Sequence, residues 1–352
     1  MKDILNRNDT LAVSSNGRNN NLNIIRFVAA LMVIFGHSYA ATYSYSLGDP
    51  LHRLTLNQLD FGGLAVSIFF TFGGFLICKS MERLQTAKKF FSARIMRIFP
   101  PLIFVTFIMT FLLGPIVTYL PLTKYFSDSR TYMYLLNSIM ILVHNLPGVF
   151  CNNINTSVNG PLWTLPVEFL CYIMCYLAYK MHILSRKIAR YTIIPVLVIY
   201  FILYHLMSEM LVFREALRPI MLFYFGMLYY IYRDKIELKY RYLLSCILIL
   251  CISVTFNIMW FMIVICLSYI LLCIGYGTKR KLQHFGEKME ISYGIYLFGW
   301  PVQQCIVLIF GKNMLPILNF IISAPIAVIC GIITFYMIER PVSICRKKSR
   351  NK

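Results

Sequence analysis

Long apolar runs alternate with short polar connections along almost the whole chain. Most of the runs are about 17–23 residues long, the length at which a helix crosses a hydrocarbon core of about 30 Å. They do not alternate with a period of two, and lipid leaves the edge of an open sheet without hydrogen-bond partners. The pattern therefore predicts an all-α, polytopic integral membrane protein.

We predict about ten transmembrane helices. The run at 242–276 is divided at Phe256 and Asn257, because a tight polar hairpin between two short spans suits it better than one long helix. The chain then consists of a polar tail at 1–21, expected to be disordered and without a cleavable signal, a membrane domain at 22–338, and a basic tail at 339–352. A long outer connection, 121–162, includes one helical stretch from Thr131 to His144, expected to be interfacial or re-entrant. The spans lie near residues 22–41, 61–81, 98–120, 163–182, 191–207, 217–232, 242–255, 258–276, 291–310 and 317–338.

The distribution of basic residues predicts the orientation. The chain has 34 Lys and Arg against 14 Asp and Glu, for a formal net charge of +20. Of the 34, 27 lie in alternate connections, beginning with the N-terminal tail, and 6 lie in the others. The positive-inside rule places both termini in the cytoplasm. Topology thus explains the positive charge, and no nucleic-acid partner is predicted.

The cysteines do not indicate a disulfide framework. There are 11 of them, an odd number, and most lie inside apolar runs. Cys171 and Cys175 share a helix face but have no His or Asp beside them in the sequence. Free cysteines of this kind are usually core residues, so no metal site is predicted.

Three ionisable residues stand out inside the predicted spans: Arg26, His37 and Glu168. Such groups cost free energy in a membrane, which makes them candidates for function. Arg26 and His37 are eleven residues apart, so they share a helix face about 16 Å apart. The predicted topology puts His37 and Glu168 at the same depth near the outer surface. A His–carboxylate pair there suits general-base catalysis, although a structural ion pair fits the spacing equally well.

A second group of basic residues lies at the inner side. Arg94 and Arg97, with Lys88, Lys89 and Arg26, are predicted to form a cationic mouth suited to a polyphosphate. The simpler alternative is that these side chains only flank a span, and that Arg26 extends to the inner interface. Nearby, the segment 69–75 contains two adjacent glycines, which is typical of close packing between membrane helices.

Taken in their order along the chain, these residues and several short segments resemble the acyltransferase-3 family of membrane proteins, which includes bacterial surface-polysaccharide O-acetyltransferases. The resemblance covers residues 21–341, nearly the whole chain. Two positions depart from the family pattern: Gly73 stands where Ser is usual before Gly-Phe, and Gly299 where His is frequent, so neither is given a role. The matching pieces are Arg26 and His37 as Arg-x10-His, and segments 63–77, 94–100, 161–168, 291–297 and 339–341.

The resemblance implies a multi-pass enzyme of the bacterial cytoplasmic (inner) membrane, in its membrane-only form. Its donor would be cytoplasmic acyl-CoA, usually acetyl-CoA, and its acceptor a hydroxyl of a surface polysaccharide or lipid-linked oligosaccharide. His37 would act as general base or transient acyl carrier, and Glu168 would orient or replace it. Arg26 would hold the donor or polarise its carbonyl, and Arg94 and Arg97 would bind CoA phosphates.

Two other functions remain open from the sequence. A polysaccharide exporter of the same superfamily would often place ionisable groups at mid-membrane in repeated broken helices. Here the groups lie near the two faces and no repeat is evident, which favours acyl transfer. A glycosyltransferase would require a site for a lipid-linked sugar, which the sequence does not reveal.

Overall fold

The computed structural model describes residues 10–17, 20–42, 48–207, 210–277, 284–287 and 289–350. Within these ranges the chain is helical with irregular connections, and no strand is formed. Eight of the described helices are long and apolar enough to cross a membrane. The ten long helices are α1 Leu22–Thr42, α2 Phe61–Leu84, α3 Ala87–Val117, α4 Thr164–Lys180, α5 Arg186–Leu206, α6 Leu211–Ile231, α7 Tyr240–Thr255, α8 Met259–Tyr276, α9 Ser292–Phe310 and α10 Pro316–Thr334.

Each predicted span corresponds to one of these helices, which confirms the all-α membrane fold. Two of the ten long helices are not among the eight that are long and apolar enough to cross a membrane. Helix α6 carries three charged residues in its first half, and α7 has only 16 residues. The division of the long run is also confirmed. Helix α7 ends at Thr255, Asn257 adopts a left-handed conformation with φ 54°, and α8 begins at Met259.

Helices α2 and α6 pack with their backbones in close contact at the centre of the bundle. A Cβ atom added at Gly74 would lie 2.0 Å from the Phe223 carbonyl oxygen. One added at Gly226 would lie 2.2 Å from the Thr71 carbonyl oxygen. Only glycine permits this approach at either position, so the structure confirms the close packing predicted for the glycine segment.

A second packed group consists of α1, α9 and α10. Gln303 of α9 is fully buried and donates from Nε2 to the Ile34 carbonyl oxygen at 2.7 Å and to Asn319 Oδ1 at 3.0 Å. Asn319 in turn donates to the Gln303 carbonyl oxygen at 3.3 Å. Because lipid offers buried amides no partners, these side chains bond to each other, to the backbone and to the Met314 sulfur, and so fix how the three helices meet.

The outer connection folds over the bundle. It contains short helices at Leu122–Ser127 and Ser129–Met133 and a 3-10 turn at Tyr134–Ile139. The predicted helix reaching His144 was therefore too long, because Met140 takes a left-handed conformation and ends the helical stretch. The Tyr125 hydroxyl donates to the Thr110 carbonyl at 2.8 Å. Asn159 Nδ2 donates to the Leu297 carbonyl at 2.9 Å, which ties the connection to α9.

Part of the N-terminal tail is ordered against the inner end of the bundle. Leu11 is fully buried, and its amide donates to the Ile236 carbonyl at 2.7 Å. Lys79 Nζ donates to the Ser15 carbonyl at 3.0 Å. The expected disorder therefore does not apply to residues 10–17. Several basic residues used to predict the topology lie outside the described residues: Lys2, Arg7, Arg18, Lys279, Arg280, Lys281, Lys288 and Lys352.

Candidate active site

A cavity of about 90 Å³, here called the inner cavity, lies among α1, α2, α3, α4 and α9. Four of the predicted site residues line it together: Arg26, Arg94, Arg97 and Glu168. Lys88 and Lys89 are exposed and do not line it, so they are not part of this cationic site.

Arg94 is held firmly on the wall of the inner cavity. Its Nη2 donates to Ser80 Oγ at 2.6 Å. The guanidinium lies 5.6 Å from the Phe90 ring centroid and 5.9 Å from that of Tyr172. Its Nε is buried and has no hydrogen-bond partner. A buried donor of this kind is costly unless something accepts from it, which suits a site for an anionic ligand.

Arg97 has an acidic partner that the sequence analysis did not identify. Its Nη2 lies 3.6 Å from Glu290 Oε2. Glu290 also accepts hydrogen bonds from the backbone and hydroxyl of Ser292. Burial alone would raise the pKa of the Glu290 carboxyl, but Arg97, Arg26 and the Ser292 hydrogen bonds lower it below its usual value. Glu290 therefore stays ionised beside the arginines.

Glu168 faces the arginines rather than His37. Its Oε1 accepts a hydrogen bond from the Tyr172 hydroxyl, one turn further along α4. Its charge acts on Arg26, Arg94 and Arg97. Three guanidinium groups thus line the same cavity as this carboxylate, and positive charge remains in excess there even after Glu290 has paired with Arg97.

A second cavity of about 360 Å³, the outer cavity, lies toward the other end of the bundle. It is bounded by α1, α2, α6 and the outer connection. Its lining includes His37, Asp60, His144, Trp163, Glu215 and Arg218. Acidic, basic and aromatic side chains on one wall are the groups that bind the hydroxyls and the apolar faces of a sugar.

His37 lies near an aspartate, although no hydrogen bond or ion pair joins the two in the described structure. A Cβ added at Gly62 would lie 3.6 Å from His37 Nε2 and 3.8 Å from Asp60 Oδ1, so both atoms face the same glycine. Asp60 is the charged group that acts on the imidazole. The opposite nitrogen, Nδ1, is buried without a partner, and the ring meets Trp300 edge-on at 5.3 Å.

Asp60 is the N-cap of α2. Its Oδ1 accepts from the Gly63 amide at 2.5 Å, which fixes the carboxylate. A Cβ added at Gly63 would lie 2.7 Å from Asp60 Oδ1 and 2.5 Å from Arg218 Nη2, so the glycine leaves room for that guanidinium. The sequence carried a signal for this residue, since an aspartate immediately before an apolar run is a helix start.

The predicted contact between His37 and Glu168 is wrong. Neither a hydrogen bond nor an ion pair joins them in the described structure, and they line different cavities. The two cavities nevertheless adjoin, because Val66, Thr164 and Tyr296 line both of them. We call these three residues the shared wall. His37 therefore lies on one side of the shared wall, and Glu168 with the three arginines lies on the other.

Comparison with known proteins identifies the family. A model of the acyltransferase-3 family, described as an acyltransferase domain, matches residues 19–336. The chain belongs to the acyltransferase-3 family. It is similar to an O-acetyl transferase of Shigella phage Sf6, with 26% identity over 338 residues, which cover 92% of this chain and 96% of the relative.

A shorter similarity, 40% identity over 88 residues, links this acyltransferase-3 protein to Nodulation protein 10 of Rhizobium leguminosarum bv. viciae. It covers 25% of this chain and 23% of that protein. No solved structure matches the chain. Membership of the family shows that the protein is a membrane acyltransferase, so the two adjoining cavities are candidates for the sites of its donor and its acceptor.

Residues of several motif segments of this acyltransferase line the inner cavity. Segment 291–297 contributes Ser292, Tyr293 and Tyr296 to the inner cavity, and segment 161–168 contributes Thr164 and Glu168. Of the two departures from the family pattern, Gly73 also lines the inner cavity, and a Cβ at Gly299 would lie 3.0 Å from Ile34. Within the described residues, no group of three or more His, Cys, Asp or Glu side chains is arranged to hold a metal ion.

Proposed function

We propose that this protein transfers an acetyl group from acetyl-CoA in the inner cavity to a hydroxyl of a surface-polysaccharide sugar in the outer cavity. One observation carries the proposal: a cavity lined by three arginines adjoins a cavity lined by His37 and Asp60, and Val66, Thr164 and Tyr296 line both. The phage relative is an O-acetyl transferase, which supports acetyl as the transferred group and oxygen as the acceptor atom.

The inner cavity suits the donor. Arg94 and Arg97 of α3 bind CoA phosphates. Arg26 of α1, which lines the same cavity, polarises the thioester carbonyl. Arg97 also lines a larger depression of about 790 Å³ at the inner end, whose charged lining comprises Arg340 and Arg346 together with Glu287, Glu290 and Glu339. This continuity allows the nucleotide to lie in the depression while the pantetheine arm enters the cavity. Glu168 balances part of the positive charge of the three arginines, since it lines the same cavity.

The outer cavity suits the acceptor and the base. His37 Nε2 removes the proton of the sugar hydroxyl, whose oxygen adds to the thioester carbonyl carbon. The carbon–sulfur bond then breaks, the ester forms, and the imidazolium returns the proton to the departing CoA thiolate. The Asp60 carboxylate, which faces the same glycine as Nε2, stabilises the imidazolium through its charge, without the hydrogen bond to the opposite ring nitrogen that a catalytic triad has. Transfer is direct in this scheme, without an acyl-enzyme.

We propose that the enzyme lies in the cytoplasmic (inner) membrane of a bacterium, where acetyl-CoA is present on one side. The acceptor would be O-antigen, capsule, exopolysaccharide or the lipid-linked oligosaccharide from which they are made. A hydroxyl outside the membrane is reached without exporting acetyl-CoA, because the acetyl group alone crosses the shared wall.

Replacing Arg94 and Arg97 with Gln tests the donor site. We expect CoA to bind at least tenfold more weakly, because each charge-assisted contact contributes about 1.5–3 kcal/mol. The measurement is calorimetric titration of CoA into the purified protein in nanodiscs. Arg190→Gln is the matched control, because Arg190 is exposed and contacts Tyr191 only. Unchanged CoA affinity in the double variant would leave Arg94 and Arg97 as residues that flank a span.

A further inference from the structure

The shared wall has a rigid polar half. Thr164 Oγ1 and the Tyr296 hydroxyl lie 2.5 Å apart, and the Tyr296 hydroxyl also donates to the Pro161 carbonyl. Both side chains are buried. The helical turn that carries Pro161 is tied to α9 by Asn159, which donates to the Leu297 carbonyl at 2.9 Å. Because the Thr164 and Tyr296 hydroxyls hydrogen-bond to each other and to the backbone, these two side chains cannot easily move away from the cavities.

The other half of the shared wall is Val66 of α2. It is partly buried and borders both cavities, while its neighbours Ala65 and Ser67 are buried. Ser67 Oγ bonds back to the Gly63 carbonyl at 2.6 Å. A valine in a helix has essentially one χ1 rotamer. Val66 is thus a stiff, branched side chain that borders the same two cavities as the hydroxyl pair.

The reaction requires the acyl group to lie at this wall. Reacting atoms approach to about 3–3.5 Å, so the carbonyl carbon must stand between the sulfur on the inner side and the acceptor oxygen on the outer side. Its alkyl substituent then points at the wall side chains. Resting on the function proposed above, we infer that Val66, together with Thr164 and Tyr296, limits the donor to short acyl groups and favours acetyl over butyryl.

Removing two methyl groups from the wall tests this inference. In Val66→Ala, the ratio of butyryl to acetyl transferred should rise at least tenfold, because a pocket distinguishes one methylene by about 10–200-fold. Val66→Ile should lower the ratio of propionyl to acetyl. Membranes of the native host, carrying the full chain, would receive equal amounts of acetyl-, propionyl- and butyryl-CoA. Esters released by alkali from the purified polysaccharide would be quantified by gas chromatography.

The control is Val264→Ala, the same change at a fully buried valine of α8 that borders neither cavity. It should leave the acyl ratios unchanged. Wild-type ratios in both Val66→Ala and Val66→Ile would overturn the inference even though acetyl transfer continued. An absence of transfer from every acyl-CoA by the wild-type chain would instead contradict the proposed function. If Val66→Ala fails to accumulate, the ratio in Val66→Ile alone decides the matter.

Discussion

Changing His37 to Ala is expected to reduce acetyl incorporation into the polysaccharide by at least a hundredfold. General acid–base groups contribute about 10²–10⁴-fold to rate. In the outer cavity, His37 Nε2 and Asp60 Oδ1 both lie beside Gly62. Within the described residues, the only other histidine that lines this cavity is the exposed His144. Acetyl incorporation would be measured by NMR of extracted polysaccharide, with protein levels in the membrane matched by blot.

His205→Ala provides the matched control for His37→Ala. His205 is exposed near the outer end of α5 and lines neither cavity. Its ring makes an edge-to-face contact with Trp260, with 5.4 Å between the ring centroids. It should retain normal acetylation. Near-normal acetylation in His37→Ala would remove His37 from the mechanism and leave it as a packing residue beside Trp300.

The second large effect concerns the two carboxylates. Glu168→Gln and Asp60→Asn should each lose at least tenfold in activity, because each change removes a charge while it keeps the shape. Residues that act as a unit are strongly non-additive. Adding Asp60→Asn to His37→Ala should therefore cause little further loss, whereas adding Glu168→Gln should cause a further tenfold loss. Incorporation of radiolabelled acetyl would detect these low rates.

The opposite result, with Glu168→Gln silent in the His37→Ala background and Asp60→Asn additive to it, would restore the pair predicted from the sequence. The matched control is Glu237→Gln, since Glu237 pairs with Lys239 in the connection between α6 and α7, outside both cavities. It should leave the rate unchanged in either background.

The helices could be predicted from the sequence because lipid imposes both their length and their apolar composition. The hairpin at Phe256 and Asn257 was predictable for the same reason, since the apolar run at 242–276 is too long for one span and Asn257 offers a polar position for a turn. The outer connection was less predictable. Its helical stretch ends at Met140, where the left-handed backbone is closed by hydrogen bonds from the Met140 and Ile141 amides to the Asn137 and Leu136 carbonyls, a cap for which the sequence offers no glycine.

The site residues were predictable as a set but not as pairs. Spacing along a helix gives the depth of a side chain, and it correctly separated Arg26 from His37. Depth does not give the direction in which each helix faces its neighbours, and for this reason Glu168 was assigned to the wrong partner. Asp60 and Glu290 were missed because both lie just before a span, where an acidic residue is usually a cap or a loop residue.

Sealed membrane vesicles of defined orientation test the central claim most directly. Acetyl-CoA carrying a labelled acetyl group would be added outside inside-out vesicles, which expose the cytoplasmic face, and outside right-side-out vesicles. The account predicts labelled polysaccharide inside the inside-out vesicles, no labelling in the right-side-out vesicles, and none with His37→Ala in either. Equal labelling in both orientations, or label only on acceptors on the same side as the acetyl-CoA, would contradict transfer across the shared wall.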